Sequence, residues 1–179
     1  MKKVRSELAE KVVELSHNKS LEGALLEWDI DDFWEDQDHK TQCLCGHEGL
    51  RCCYGIKNRL TGESLKPIGS ICITKFGNSN LSSQLRFYAM LRKLLLAYES
   101  REWIELSTEY FSKPFIEWLG SQGCFEKNEY NNFDPWNDVS FLTSRFGKNK
   151  YPSAGEKKKI FALVSKQIIP FAKQLLNKH

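Results

Sequence analysis

Between Thr41 and Phe76 the chain reads TQCLCGHEGLRCCYGIKNRLTGESLKPIGSICITKF and carries five of its six cysteines, Cys43, Cys45, Cys52, Cys53 and Cys72. A segment so rich in thiols is built as a disulfide framework, a redox pair, a metal site or a set of buried apolar side chains. With 41% hydrophobic and 12% aromatic residues over 179 positions, the chain can bury a core without cross-links. The first residues, MKKVRSELAEKVVELSHNK, bear charges throughout, so they do not read as a signal peptide. No apolar run reaches the roughly 18 residues that a membrane-spanning helix needs. A cytoplasmic protein is the expectation, and there thiols stay reduced, which argues against disulfides. A redox pair would show Cys-x-x-Cys at the start of a helix, and that pattern is absent.

A metal site is the reading that remains strongest. Structural zinc takes four Cys or His ligands in tetrahedral geometry. Cys43-Leu44-Cys45-Gly46-His47 is a tight knuckle in which Gly46 lets the backbone turn and bring amide N–H groups to face the sulfurs. Cys72 enters from the far strand of a hairpin as a third ligand. His47, on the same knuckle, is the first choice for the fourth, with Cys53, Cys52 and His39 as alternatives. Cys52 and Cys53 are adjacent, so in an extended strand they point to opposite faces and at most one can join the site. The other, like the isolated Cys124, reads as a small buried apolar residue. The expected cofactor is zinc.

The periodicities give an α+β fold, with a small zinc-stabilised β-hairpin module packed with a mainly α-helical C-terminal half. Residues 1–78 hold an N-terminal helix and the Cys-rich module, and residues 79–179 form a helical domain. Val4, Leu8, Val12 and Leu15 fall at helical spacing over residues 3–16, and Ser20 can cap a short second helix reaching about Trp28. WDIDDFWEDQD is a strand or an aromatic-anchored loop. Residues 49–57 and 65–73 are β-like, joined by the turn NRLTG, and Pro67 argues for an edge position. A long helix spans residues 81–98, with shorter ones over 100–108 and 112–121, and another begins after Asp138. The last helix opens with the capping-box spacing Ser153 to Glu156, and Pro170 is expected to kink it.

Charge is unevenly spread although the net is only +3. From Glu22 to Glu48 nine acidic residues face the single Lys40, and from Arg145 to the end nine basic residues face the single Glu156. Two binding surfaces follow. Arg145, Lys148, Lys150, Lys157, Lys158 and Lys159 form a candidate nucleic-acid contact, with Tyr151, Phe146 and Arg51 available for stacking. Alternatively Asp29, Asp31, Asp32, Glu35 and Asp36, set among aromatics, form a docking surface for a basic, nucleic-acid-binding protein partner. No phosphate-binding glycine loop is present, and Asp29, Asp31, Asp32 and Glu35, which could in principle hold two metals, have neither a clear buried strand nor a partner histidine beyond the knuckle, so catalysis is the minority reading.

One resemblance covers about residues 26–76. Glu27-Trp28, C-x-C-G-H from Cys43 to His47, I-x-N-x-x-T-G from Ile56 to Gly62 and P-I-G-S-x-C-I-x-K-F from Pro67 to Phe76 resemble a zinc-ribbon-like module of small, uncharacterised bacterial and phage or mobile-element proteins. The resemblance implies a metal-stabilised β unit in which Cys43, Cys45 and Cys72 match the motif cysteines and His47 its histidine. It implies no enzymatic activity. A phage setting would suit an inhibitor of a host defence nuclease complex as the alternative function.

Overall fold

A computed structural model describes residues 3–148 and 151–176, with the side chains described from Glu7 onward. It is an α+β structure. The chain divides into two compact units, Met1–Tyr88 with Leu175–His179 and Ala89–Gln174, so that the division falls inside one long helix, α4 (Ser79–Glu99).

The first unit is built on a three-stranded antiparallel sheet in the order β1 (Trp28–Glu35), β2 (Cys52–Asn58), β3 (Ser64–Gly69). The acidic segment is therefore a strand. Its apolar residues do not follow a simple period of two, because Trp28, Ile30 and Phe33 are all buried. A register shift between Ile30 and Asp32 supplies the reason, since an extra residue at a bulge turns Phe33 back to the core side. Gly55 lies opposite, and a Cβ there would stand 2.8 Å from the Asp32 Cβ, so only glycine lets the bulge approach this closely. The β2–β3 turn is organised by Asn58, whose Oδ1 accepts from the Leu60 and Thr61 amides, with Gly62 at φ +79°.

Helix α1 (Lys3–Glu14) buries Leu8 and Val12, and the short α2 (Leu21–Leu25) is capped by Ser20, which accepts from the Gly23 amide. A buried polar network ties this region to the sheet. Trp28 Nε1 donates to Ser16 Oγ at 2.8 Å, while Asn58 Nδ2 donates at 2.9 Å to Glu27, which also accepts from the His17 and Asn18 amides. Glu27, an apparent member of the acidic face, is thus buried, and the Asn58 hydrogen bond leads the causes that hold its carboxyl below the usual range.

The second β segment is shorter than the sequence suggests. β3 ends at Gly69, and Ser70–Lys75 forms a helix, α3, so Cys72 rides on a helical turn and not on a strand. The run Ile71-Cys72-Ile73 looks β-like, but in helical geometry only Ile73 is buried and Ile71 is exposed. Thr74 Oγ1 donates back to the Ser70 carbonyl.

The second unit is helical, with α5 (Lys113–Ser121), a 3-10 turn at Glu129–Asn131, α6 (Pro135–Arg145) and α7 (Ala154–Leu163). A π turn, Val164–Ile168, leads into α8 (Ile169–Leu176). Ser112 caps α5 by accepting from the Phe115 amide, and Ser153 and Glu156 form the reciprocal capping box of α7. No helix spans residues 100–108. α4 closes with a Schellman motif, in which Glu102 N donates to Ala97 O and Arg101 N to Tyr98 O, and the left-handed Arg101 (φ 59°) turns the chain away. α6 starts before Asp138, because Asp134 caps it and Pro135 occupies the first turn, where its missing N–H costs nothing. The π turn comes immediately before Pro170, where a proline interrupts the regular i to i−4 ladder.

Candidate metal centre

The knuckle is fixed from both sides. On its N-terminal side the Asp36 carboxylate accepts from Thr41 Oγ1 and the Thr41 amide, both at 2.7 Å, and from the amides of Lys40 at 2.8 Å and Asp38 at 3.0 Å. The Thr41 hydroxyl leads the causes that bring the Asp36 carboxyl down to about 2. Thr41 then bridges Leu50, Cys43 N donates to His47 O at 2.8 Å, and Gly46 takes φ +84°. Leu44 N donates to Pro67 O at 2.9 Å, which lashes the knuckle to β3 and so to the start of α3.

This arrangement brings Cys43, Cys45 and Cys72 together. The Cys72 Sγ lies 3.1 Å from that of Cys45 and 3.8 Å from that of Cys43, and all three sulfurs lie within 4.8 Å of one another. Amides aim at the sulfurs, with Gly69 N donating to Cys43 Sγ at 3.4 Å and the Cys45 and His47 amides turned to Cys43 and Cys45 in the same way. Burial pushes the Cys43 thiol up and the Cys72 thiol to about 12. Burial also opposes ionisation of Cys45, but hydrogen bonds from the Cys72 thiol and the His47 amide bring it below its ordinary value. Three thiols this close, Cys43 and Cys45 buried and Cys72 half-buried, repel one another as anions, and a cation among them reverses that penalty and deprotonates the ligands outright. The cluster can hold a metal ion.

His47 is exposed and stands outside this trio, but it lines the same cavity of about 760 Å³ that borders the three thiols, as does Cys52. Cys53 is buried on β2, its thiol pushed up by burial, and His39 is an exposed, left-handed loop residue. Cys124 lies in the second unit, buried, with its thiol pushed up to about 12. All six cysteines are free thiols.

The acidic set has internal partners. Asp29 pairs with Arg59 at 3.0 Å and accepts from Gln84 at 2.7 Å, Asp32 pairs with Lys66 at 2.9 Å, and Glu35 lies 3.7 Å from Arg51. Asp31 lies close enough to contribute to the upward shifts of Lys66 and Tyr88. Asp36 organises the loop before the knuckle, a role that the D-x-D-x-K-T sequence signals as a turn and that charge counting obscures.

The basic set divides. Arg145, its side chain only 8% exposed, pairs with Glu156 at 3.3 Å, and Lys159 pairs at 2.8 Å with Asp138, whose side chain is 2% exposed. These two residues lock the start of α7 to α6. Lys148, Lys157 and Lys158 are exposed, and Lys150 lies outside the described residues. Sequence reasoning missed the buried Asp138, which only its position on the inner face of α6 reveals.

By fold and site the chain is an α+β protein with a three-thiol cluster able to hold a metal, and no helix among the described residues is long and apolar enough to cross a membrane. Comparisons with protein-family models, curated proteins and solved structures give no match.

Proposed function

We propose that the chain is a zinc-containing, non-enzymatic binding protein that contacts nucleic acid through the exposed lysines at the start of α7. Zinc suits the donor set, because three thiolates with an imidazole are a soft, tetrahedral ligand group. His47, on the knuckle and on the wall of the same cavity, supplies the fourth ligand. A site closed by four protein ligands has no open position for substrate, so its role is structural: it joins the knuckle to α3.

The observation that carries the nucleic-acid reading is the placement of Lys157 and Lys158. They are exposed near the start of α7, Lys157 in its first turn, where the helix dipole disfavours cations, and Lys158 just beyond it, while their neighbour Lys159 is committed to Asp138. Phosphate oxygens would satisfy the lysines, since the α7 N-terminus is itself closed by the Ser153–Glu156 capping box. Lys148 and the 90% exposed Tyr151 lie just upstream in the sequence, a composition suited to backbone contact with stacking.

The test is fluorescence anisotropy with labelled single- and double-stranded oligonucleotides across a salt series. Two to three phosphate contacts predict a slope of log K against log salt of about −2 to −3, reduced by about one for each of Lys157→Ala and Lys158→Ala. Affinity indifferent to salt and to both substitutions would refute the nucleic-acid reading and leave the zinc site standing.

A further inference from the structure

The second unit carries a cleft of about 510 Å³, well removed in sequence from the thiol cluster and bordered by the end of α7 just beyond its lysines, and within the size range of small-ligand sites. One wall is the end of α4 and the loop that follows it, and the other is the end of α7 with Val164 and Ser165 of the π turn. Three aromatic side chains line it while remaining open to solvent: Trp103 at 70% exposure, Phe161 at 60% and Tyr98 at 40%. Packing does not account for rings left so open. π turns recur at functional sites, where they reshape a helix surface.

The charges choose the ligand. Among the described residues that line the cleft, Glu99 and Glu102 are the acids and Arg101 the cation, with Lys173 standing over the Tyr98 wall. Tyr110 OH donates to Glu102 at 3.2 Å and steadies that carboxylate. The protein's own ammonium groups already collect around this region. Lys173 Nζ stands 5.8 Å above the Tyr98 ring, and Lys93 Nζ stands 5.0 Å above the Tyr110 ring beside Glu109. Ring faces that draw in lysines from the same unit attract cations in general, and an indole is the strongest such face.

We propose that this cleft binds an organic cation, an alkylammonium or guanidinium group, held against Trp103 and Phe161 and neutralised by Glu99 and Glu102, beside the Tyr98 ring that Lys173 already covers. The rings supply a preformed, low-entropy surface, and the carboxylates distinguish a cation from a neutral group of the same shape. Arg101 sets an upper bound on the attraction, because its own charge competes for the same two acids.

The experiment titrates the full chain with choline, with arginine amide and with 3,3-dimethylbutan-1-ol, the uncharged isostere of choline. Tryptophan indole N–H resonances are followed by NMR, with Trp103→Phe used to assign the Trp103 signal. The proposal expects a saturable shift of that signal with at least one of the two cations, and binding of the neutral isostere at least about tenfold weaker than that of choline where choline binds. Choline alone binding identifies an alkylammonium site, and arginine amide alone a guanidinium site. Glu99→Gln should weaken the cation and not the isostere, with circular dichroism unchanged. Equal binding of choline and its isostere would reduce the cleft to an apolar patch, and no shift of the Trp103 signal with either cation would remove the site.

Discussion

Arg101 offers a sharp test of the backbone account of α4. It occupies the left-handed position of a Schellman motif, φ 59°, with the closing hydrogen bonds Glu102 N to Ala97 O at 2.9 Å and Arg101 N to Tyr98 O at 3.0 Å. Helices ending this way usually place glycine there, because a side chain in the left-handed region costs about 1–2 kcal/mol. Arg101→Gly removes that cost but adds about 0.5–1 kcal/mol of chain freedom to the unfolded state. The net expectation is a gain of roughly 0.5–1 kcal/mol, which for a chain of this size raises Tm by about 1–4 °C. Arg101→Ala keeps the left-handed strain and serves as the control, with little change expected. Thermal melts of the three proteins by circular dichroism at one pH and salt decide the matter. A lower Tm for the glycine variant would refute the reasoning, and an equal gain for alanine would assign the effect to the arginine's charge instead of its backbone.

Three further outcomes follow from side chains with defined partners. Lys159→Met strands the Asp138 carboxylate in the interior of the second unit and should cost about 2 kcal/mol or more, whereas Lys157→Ala and Lys158→Ala should each stay within about 0.5 kcal/mol, as read from urea midpoints. A loss of nucleic-acid binding in Lys159→Met is therefore to be compared with its loss of stability. Asp36 has its folded carboxyl depressed to about 2, so its stabilisation is complete above the ordinary carboxylate range near pH 4 and is lost as pH falls towards 2. Asp36→Asn should accordingly flatten the acid limb of stability over that window, and an unchanged limb would contradict the loop's role. Among the cysteines, Cys124→Ser should leave metal content unchanged, since Cys124 stands apart from the trio.

How much of this was legible in the sequence depends on the range of the interactions involved. The hairpin turn at Asn58–Gly62, the caps at Ser20 and Ser153 and the length of α4 were readable because each is set by residues within a few positions of one another. The grouping of Cys43 with Cys45 was readable for the same reason, and Cys72 joined them through the hairpin logic even though its own segment is helical. Ile71-Cys72-Ile73 misled because three consecutive apolar residues fit a strand as well as a short helical turn that buries only one of them. Residues 100–108 misled because the left-handed turn is made by an arginine, where glycine would have signalled a stop. The charge surfaces were the least legible part. Whether an acid or lysine is solvated or paired depends on contacts such as Asp29 with Gln84 and Lys159 with Asp138, which join residues distant in the chain.

The central claim is that Cys43, Cys45 and Cys72 hold one zinc ion with His47 as the fourth ligand. Elemental analysis of freshly purified, reduced protein, beside Cys43→Ser, Cys72→Ser and His47→Ala, tests it most directly. The account predicts one zinc per chain, lost in both cysteine variants and bound more weakly after the histidine change. Protein that is folded, reduced and free of metal even after incubation with zinc would contradict it and leave the three thiols as core side chains.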